Sequence, residues 1–287
     1  MPSLSWAGTT AKPASAPKAA PEKLNESAIT GDIGLNVVTA YYSRGIIQNN
    51  HAPSFQPYAD IFIKAYEGDG FLNKAVFGLG VWESFTDGST KATDSTTGFP
   101  SAGSKYWQTN GVGGKASWYE SDFVPSLALT FGKVTITESY LYYSSPSNQF
   151  IDFQGLNSKL SFDDSDLLGA FALHPSVTML HEVDGKAGNG SRHGNYWEGA
   201  VAPSYSSGPV TITVPLTVGF GSSKFYAKDG YGYFSAGLNL AYALPVSKTY
   251  GTWTANIGGT AYTLDNKVVG GDAASDVVGQ VGLGVTF

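Results

Sequence analysis

Apolar and polar residues alternate with a period of two along most of the chain from residue 31 to residue 287. This alternation predicts β-strands whose two faces meet different environments, because an amphipathic helix would repeat every 3.6 residues instead. Clusters of Gly, Pro, Asn, Asp and Ser divide the pattern into twelve predicted strands. Eleven of these lie at 33–41, 54–66, 74–85, 115–131, 134–144, 150–162, 169–182, 210–218, 234–242, 253–261 and 276–287. The alternation is weaker in 134–144 and 150–162 than in the others.

The predicted strand at 54–66 shows what each face meets. Its apolar side carries Phe55, Ala59, Ile61 and Ile63, and its polar side carries Gln56, Tyr58, Asp60 and Lys64. The last predicted strand ends on Phe287, and an aromatic residue there resembles the insertion signal of bacterial outer-membrane β-barrels. We therefore predict an all-β fold, a closed antiparallel up-and-down transmembrane barrel of about twelve strands over residues 31–287. A soluble sandwich or lipocalin-like barrel is the alternative.

One predicted strand has a charged residue among its outward-facing apolar positions. In 134–144, a constant phase places Glu138 on the lipid face beside Val134, Ile136 and Tyr140. A charge at the bilayer midplane costs up to about 2–4 kcal/mol, and a carboxylate costs less. We therefore predict a bulge at 137–139 that turns Glu138 into the lumen.

The connections also favour a membrane barrel, because short connections at 132–133, 163–167, 206–209 and 245–250 alternate with longer polar ones at 86–114, 183–195, 221–230 and 265–275. An even strand number places both termini in the periplasm.

Aromatic residues near strand ends predict interface girdles. They include Tyr41, Tyr42, Tyr66, Phe85, Tyr119, Tyr143, Trp197, Tyr205, Tyr231, Tyr233 and Phe287.

Residues 1–30 differ from the rest, since Ala, Pro, Ser and Lys dominate there and cannot bury a core. We expect this segment to be a disordered periplasmic tether that could meet the cell wall or a periplasmic partner. It shows neither the basic nor the apolar region of a secretory signal. We expect export to depend on a signal that has been removed or replaced.

Composition limits the other classes of function. Charged residues make up 14% of the chain and aromatic residues another 14%, yet no apolar run approaches the ~20 residues of a membrane helix. The net charge of −6 and the lack of a basic stripe argue against nucleic-acid binding. The absence of cysteine excludes disulfides and thiolate metal sites.

Catalytic, metal and cofactor motifs are not recognisable, so we predict a protein that is not an enzyme and has no cofactor. His181 has the outward parity that an outer-membrane phospholipase would need, but no serine elbow or carboxylate can be assigned to it. The acidic turns at 163–166 and 184–186 lack the ligand spacing of a calcium loop. The glycines at 111–114 precede a strand and not a helix, which excludes a phosphate-binding loop.

Inward parity defines the candidate site, a polar and mildly acidic lumen. Its predicted lining residues are Arg44, Gln56, Tyr58, Asp60, Lys64, Lys74, Trp118, Glu120, Asp122, His174, Glu182 and Glu198. Carboxylates along a pore favour cations or neutral polar solutes. Arg44 either forms a constriction opposite these acids or makes a salt bridge at the rim that orders the first loop.

The segment at 39–48 carries a more specific signal. Tyr41, Arg44, Gly45 and Gln48, followed by Pro53, resemble the first hairpin of the TorF-like porin family of bacterial outer-membrane proteins. The resemblance implies a small outer-membrane channel without an established substrate. The predicted function is passive diffusion of small polar or cationic solutes across the outer membrane, in contact with its lipid. The alternative is a non-conducting scaffold barrel that displays loops outside and a tether inside.

Overall fold

A computed structural model describes residues 28–50, 52–86, 118–147, 149–226, 228–271 and 273–287. The strands are β1 (Ile29–Val38), β2 (Tyr41–Ser43), β3 (Ile46–Asn49), β4 (Ser54–Glu67), β5 (Lys74–Thr86), β6 (Trp118–Phe131), β7 (Val134–Ser144), β8 (Phe153–Phe162), β9 (Ser176–Asp184), β10 (Asn195–Val201), β11 (Ser204–Ser207), β12 (Val210–Thr213), β13 (Leu216–Gly221), β14 (Gly230–Ala243), β15 (Thr252–Leu264) and β16 (Ser275–Thr286). The short helices are α1 (Ser165–Leu168), α2 (Ser223–Tyr226) and α3 (Asn266–Val269), with 3-10 turns at Gly169–Phe171 and Lys248–Tyr250. None of the helices in these described ranges is long and apolar enough to cross a membrane.

The wall is one closed antiparallel sheet. Neighbouring strands pair in chain order, and β1 closes the ring by pairing with β16, where Ile33 lies opposite Val285. β10 and β11 together fill one wall position, and β12 and β13 fill the next, because Pro203 and Pro215 interrupt the ladder at neighbouring points. The wall therefore has twelve positions, which confirms the predicted barrel.

The two faces of the wall have opposite chemistry. Large apolar side chains are exposed on the outside of nearly every wall strand, among them Ile33, Ile61, Leu79, Leu238 and Leu283. Polar and charged side chains are buried on the inside, among them Gln56, Asp60, Asp122, Thr211 and Asn239. A soluble barrel would reverse this arrangement, whereas a barrel surrounded by lipid requires it.

The ends of the barrel also differ. At one end, which we call the turn end, the connections are 68–73, 132–133, 163–175, 208–209 and 244–251. At the other, the loop end, the described connections include 39–53, 145–152, 185–194, 222–229 and 265–274. The predicted long loop at 86–114 lies almost entirely outside the described residues. The chain enters and leaves the barrel at the turn end, because β1 starts there and β16 ends there.

Several predicted strand boundaries are wrong, and the strand predicted at 210–218 is interrupted at 214–215. The strand predicted at 169–182 begins only at Ser176, since Pro175 cannot donate to the ladder and α1 with its 3-10 turn fills the preceding residues. The strand predicted at 150–162 begins at Phe153. The first wall strand ends at Val38, because the chain then turns into the barrel.

The predicted bulge at Glu138 is also wrong. β7 keeps one register with both neighbours, and Glu138 is exposed on the outer face opposite Leu127 of β6 and Ser158 of β8. The Ser158 hydroxyl donates to Glu138 Oε2 at 2.6 Å. This hydrogen bond partly replaces hydration of the carboxylate, so the ladder remains intact.

The predicted tether at 1–30 lies outside the described residues except for its last three. Of these, Ile29 and Thr30 already belong to β1, where they pair with Ile63 and Phe62 of β4. The barrel thus begins two residues before the predicted boundary at residue 31.

Candidate functional site

The lumen is crossed by a hairpin that the first connection sends inward. β2 and β3 pair with each other and not with the wall, through a two-residue turn at Arg44 and Gly45. Both turn residues have positive φ, 51° and 77°, as a tight hairpin of this kind requires. A Cβ on Gly45 would also lie 2.5 Å from the Tyr233 ring, so the tip fits against the wall only as glycine. We call residues 41–49 the plug hairpin.

Two tyrosines hold the base of the plug hairpin to different parts of the wall. Tyr41 Oη donates to Glu120 Oε2 of β6 at 2.9 Å, and its ring packs 5.3 Å from Trp82 of β5. Tyr42 Oη donates to Asp276 Oδ2 of β16 at 2.6 Å. Its ring stacks on Tyr262 of β15, with ring centroids 4.8 Å apart. Burial and these carboxylates raise the pKa of both plug tyrosines, so both remain neutral donors.

The tip of the plug hairpin reaches the far wall. Arg44 Nη2 donates to Tyr143 Oη of β7 at 3.0 Å. The guanidinium carbon lies 5.7 Å from the Tyr143 ring centroid and 5.8 Å from that of Tyr196 on β10. Tyr226 of α2 donates its hydroxyl to the Arg44 backbone carbonyl at 2.5 Å. The plug hairpin therefore spans the lumen from β1 and β4 to β7 and β10.

Carboxylates surround the tip. Glu120, Asp122 and Glu182 are almost completely buried and lie close enough to the Arg44 guanidinium for their charges to interact. The Arg44 guanidinium thus faces three acids inside a wall of aromatic rings, and Lys186 is a second cation close to Glu182. Of the two predicted roles for Arg44, its burial in the lumen agrees with the constriction and not with a rim contact.

Loops 185–194, 222–229 and 265–274 cover the plug hairpin from the loop end. Glu182 Oε1 accepts from the backbone N–H groups of Ala187 at 2.7 Å and Gly188 at 3.2 Å, and Oε2 accepts from Gly194 at 2.8 Å. The Gly190 N–H donates to the Phe225 carbonyl at 2.6 Å. The Asn189 side chain donates to a backbone carbonyl of α3. The three loops form one cover, fixed to the wall through Glu182.

The half of the lumen nearer the turn end is different. Small and polar side chains line it, and several inward-facing residues, including Lys159, Glu198, Asn256 and Thr260, are partly exposed. Since these side chains point away from lipid, the exposure means that water enters from the turn end. Glu198 marks the boundary with the aromatic half, because Tyr196 and Tyr233 donate their hydroxyls to Glu198 Oε2 at 2.6 and 2.9 Å.

The predicted lining residues separate into three groups. Arg44, Gln56, Tyr58, Asp60, Glu120, Asp122 and Glu182 are buried inside the barrel, and Glu198 is partly exposed inside it. Lys64 and Lys74 lie near the turn end, where Lys64 Nζ is 2.5 Å from Glu67 Oε2. Trp118 and His174 do not line the lumen.

A β-bulge explains the error at Trp118. The register between β5 and β6 shifts at Phe85, so that Tyr119 turns inward and Trp118 outward. Trp118 stacks on Phe85 at 5.7 Å and donates its ring N–H to Glu83 Oε2 at 2.6 Å. Tyr119 is buried and donates to Gln48 Oε1 of the plug hairpin at 2.8 Å.

The prediction that His174 lines the lumen is wrong for a different reason. It lies in the turn-end connection before β9, with a left-handed φ of 49°. Its Nδ1 is 3.7 Å from Asp164 Oδ1, and its backbone N–H donates to the same oxygen at 2.9 Å. His174 therefore belongs to the turn that caps the barrel and not to the pore.

Five tyrosines that the sequence predicts to be girdle residues lie in the lumen. Tyr41, Tyr42, Tyr119, Tyr143 and Tyr233 are each at most 3% exposed and face the plug hairpin. For Tyr143 and Tyr233 the signal was present, since both alternate with outward-facing neighbours, Tyr142 and Phe234. For Tyr41 and Tyr42 no periodic signal exists, because they lie beyond the wall.

The described side chains give little support for metal binding or catalysis. No group of three or more His, Asp or Glu residues within the described ranges is placed to hold a metal ion. His181 lies on the outer surface, and its Nδ1 is 2.8 Å from Asn195 Oδ1. This is a contact between neighbouring strands and does not form a nucleophile–base pair.

No family model and no curated protein matches the chain. The resemblance to the TorF-like porin family therefore stays a prediction. The chain is similar in structure to a NanC porin, with 13% identity, a TM-score of 0.49, and coverage of 89% of this chain and 98% of that one. It is also similar to an outer-membrane channel of Pseudomonas putida F1, with 9% identity, a TM-score of 0.48, and coverage of 94% and 100%. A third similar structure is a KdgM porin in complex with oligogalacturonate, with 9% identity, a TM-score of 0.43, and coverage of 90% of this chain and 99% of that one. These similarities are too distant to indicate a function.

Proposed function

We propose that this protein is an outer-membrane channel for the passive diffusion of small polar or cationic solutes, closed in the present conformation by the plug hairpin. The observation that carries the proposal is the nature of the obstruction. The lumen is filled at the loop end by a connection that packs against inward-facing rings of the wall and is held there through hydrogen bonds and ring contacts. An obstruction of this kind can move without unfolding the barrel.

The surfaces of the barrel support a membrane location. The apolar exterior fits lipid, while the polar interior admits water from the turn end. In the usual orientation of such barrels the loop end faces outward and the turn end faces the periplasm. The tether at 1–30 would then extend into the periplasm, within reach of the cell wall or a partner.

The selectivity follows from the interior charges. Asp60, Glu120, Asp122, Glu182 and Glu198 lie inside the barrel, whereas the interior cations include Arg44 and Lys159. A passage dominated by carboxylates attracts cations and admits neutral polar solutes more readily than anions. When the plug hairpin withdraws, the removal of Arg44 increases this preference.

A non-conducting scaffold is the second candidate function. The observation in its favour is the double closure of the loop end, in which three loops cover a hairpin that already touches most of the circumference. A barrel that never opens would serve only to display its loops and tether.

Planar bilayer recordings separate the two candidates. We would compare the full chain with a variant in which 41–49 is replaced by Gly-Ser-Gly. A matched control carries the same replacement at 245–250, a turn-end connection outside the lumen. A channel predicts stepwise conductance that is rare in the full chain and the control but frequent in the hairpin variant, with a reversal potential that favours cations. Silence in all three folded proteins would reject the channel, and a reversal potential that favours anions would reject the proposed solute class.

A further inference from the structure

We propose that the aromatic and acidic cage around Arg44 is a binding site for small organic cations that carry a guanidinium group, and that Arg44 occupies this site as an internal ligand while the channel is closed. The cage consists of the rings of Tyr143 and Tyr196 and the carboxylates of Glu120, Asp122 and Glu182. As a statement about solute class the inference rests on the proposed channel, whereas the binding itself does not.

The geometry of the cage matches a guanidinium. Two aromatic rings lie within 6 Å of the guanidinium carbon, at 5.7 Å for Tyr143 and 5.8 Å for Tyr196. Cation–π attraction operates at these distances and is stronger where water is excluded. Both rings are buried, at 3% and 1% exposure. The Tyr143 hydroxyl accepts a hydrogen bond from Nη2 at 3.0 Å, so one ring supplies both a π-face and an acceptor.

The acidic groups of the cage favour a cation over an anion or a neutral solute. Glu120, Asp122 and Glu182 are buried on β6 and β9, and each interacts with the Arg44 charge. Removal of the guanidinium would leave these carboxylates without it in a region of low water content, which is unfavourable. A planar, weakly hydrated cation is suited to such a site, whereas a compact ammonium is more strongly hydrated.

Arg44 differs from a structural residue of the wall because its side chain and its backbone are held independently. The hydroxyl of Tyr226 binds the Arg44 carbonyl, which any substitution retains. Tyr41 and Tyr42 fix the base of the plug hairpin to β6 and β16. Loss of the Arg44 side chain alone should therefore leave the cage walls in place and the cage empty. Alanine keeps a Cβ, so the cost of the positive φ does not change.

The test is chemical rescue of Arg44→Ala in the full-length, detergent-solubilised barrel. Methylguanidinium at low millimolar concentration is the probe, and methylammonium and NaCl at equal ionic strength are the comparisons. We expect a saturable rise in the melting temperature of the Arg44→Ala variant with methylguanidinium and a much smaller rise with methylammonium. Wild type should show a much smaller rise at the same concentrations, because Arg44 competes for the cage. The matched control is Arg192→Ala, which removes an exposed loop arginine and should behave as wild type.

A second measurement keeps the proposal testable if Arg44→Ala does not fold. In wild type, methylguanidinium should compete with Arg44 and accelerate amide hydrogen exchange at residues 43–46 in a saturable manner, whereas methylammonium should not. The proposal is overturned if a folded Arg44→Ala barrel shows no saturable rise, or if Arg192→Ala is rescued equally. It is also overturned if the variant does not fold and wild-type exchange is unchanged. Binding in detergent does not depend on conductance, so failure of the channel proposal alone would leave these results intact.

Discussion

Removal of Glu182 should detach the cover over the plug hairpin. The Glu182 side chain is fully buried, and its two oxygens accept three backbone N–H groups from loop 185–194. Oε1 accepts from Ala187 and Gly188, and Oε2 accepts from Gly194. This asymmetry makes two substitutions informative. Glu182→Ala removes both acceptor oxygens and with them all three hydrogen bonds. Glu182→Gln can keep the oxygen shared by Ala187 and Gly188 but places an NH₂ group opposite Gly194.

The magnitudes follow from the number of bonds lost. A hydrogen bond to a charged group contributes about 1.5–3 kcal/mol, so Glu182→Gln should weaken loop attachment by roughly that amount. Glu182→Ala has an upper bound of roughly 4.5–9 kcal/mol for three bonds. The loop can open to water before this full penalty is reached. We therefore expect Glu182→Ala to release loop 185–194 while the wall, whose ladder does not involve this side chain, keeps its stability.

Hydrogen exchange measured amide by amide tests this reasoning. In Glu182→Gln, exchange at Gly194 should accelerate about 10- to 150-fold, with smaller changes at Ala187 and Gly188. In Glu182→Ala all three amides should approach the unprotected rate. The control is Glu67→Gln, an exposed carboxylate bound to Lys64 at the turn end. Equal protection in wild type and Glu182→Ala would refute the view that this carboxylate holds the cover.

Three further predictions follow from single contacts. Glu138→Leu should raise the free energy of unfolding in lipid vesicles by up to about 2 kcal/mol, measured by urea titration, because the substitution removes a carboxylate from the apolar exterior. Tyr42→Phe should lose the hydrogen bond to Asp276 but keep the ring stack, so exchange in the plug hairpin should rise less than in Tyr42→Ala. Burial would raise the pKa of Asp164, but two backbone N–H donors outweigh it and hold the pKa below its ordinary value. This carboxylate therefore stabilises the fold at neutral pH and loses that effect below about pH 4, a slope that Asp164→Asn should reduce in unfolding measured from pH 3 to 7.

The wall was predictable because lipid imposes a rule on every second residue. Ile61 and Ile63 face outward and Gln56 and Asp60 inward as expected, and the pairing of β1 with β16 completes the ring. The strands could be predicted even where the β-propensity of individual residues is weak, since every strand repeats the alternation of apolar outward and polar inward residues. The same reasoning fails where that repeat is broken, as at Trp118, where one extra residue in β6 exchanges the inner and outer faces.

At Glu138 the cost of exposing a carboxylate to lipid competes with the cost of a bulge in β7. The prediction treated an exposed carboxylate as more costly than a bulge. In the structure β7 pairs with β8 over ten residues without a shift, and Ser158 supplies a donor to the carboxylate. A bulge would have disrupted hydrogen bonds to two neighbouring strands at once. An intact ladder with a hydrogen-bonded carboxylate is therefore the less costly arrangement. It depends on Ser158, which lies twenty positions further along the chain.

The plug hairpin could not be predicted from periodicity, because a connection that folds into the lumen has no lipid on either face. In the sequence, Tyr41 and Tyr42 fall where the first predicted strand ends, and there a girdle residue and a lumen residue look alike. Parity resolves this ambiguity only within the wall, as it would have done for Tyr143. The solute class is consequently the property least accessible from sequence. In our proposal it depends on Arg44, which lies outside the wall pattern, and on rings and carboxylates of β6, β7, β9 and β10 that the folded barrel brings around it.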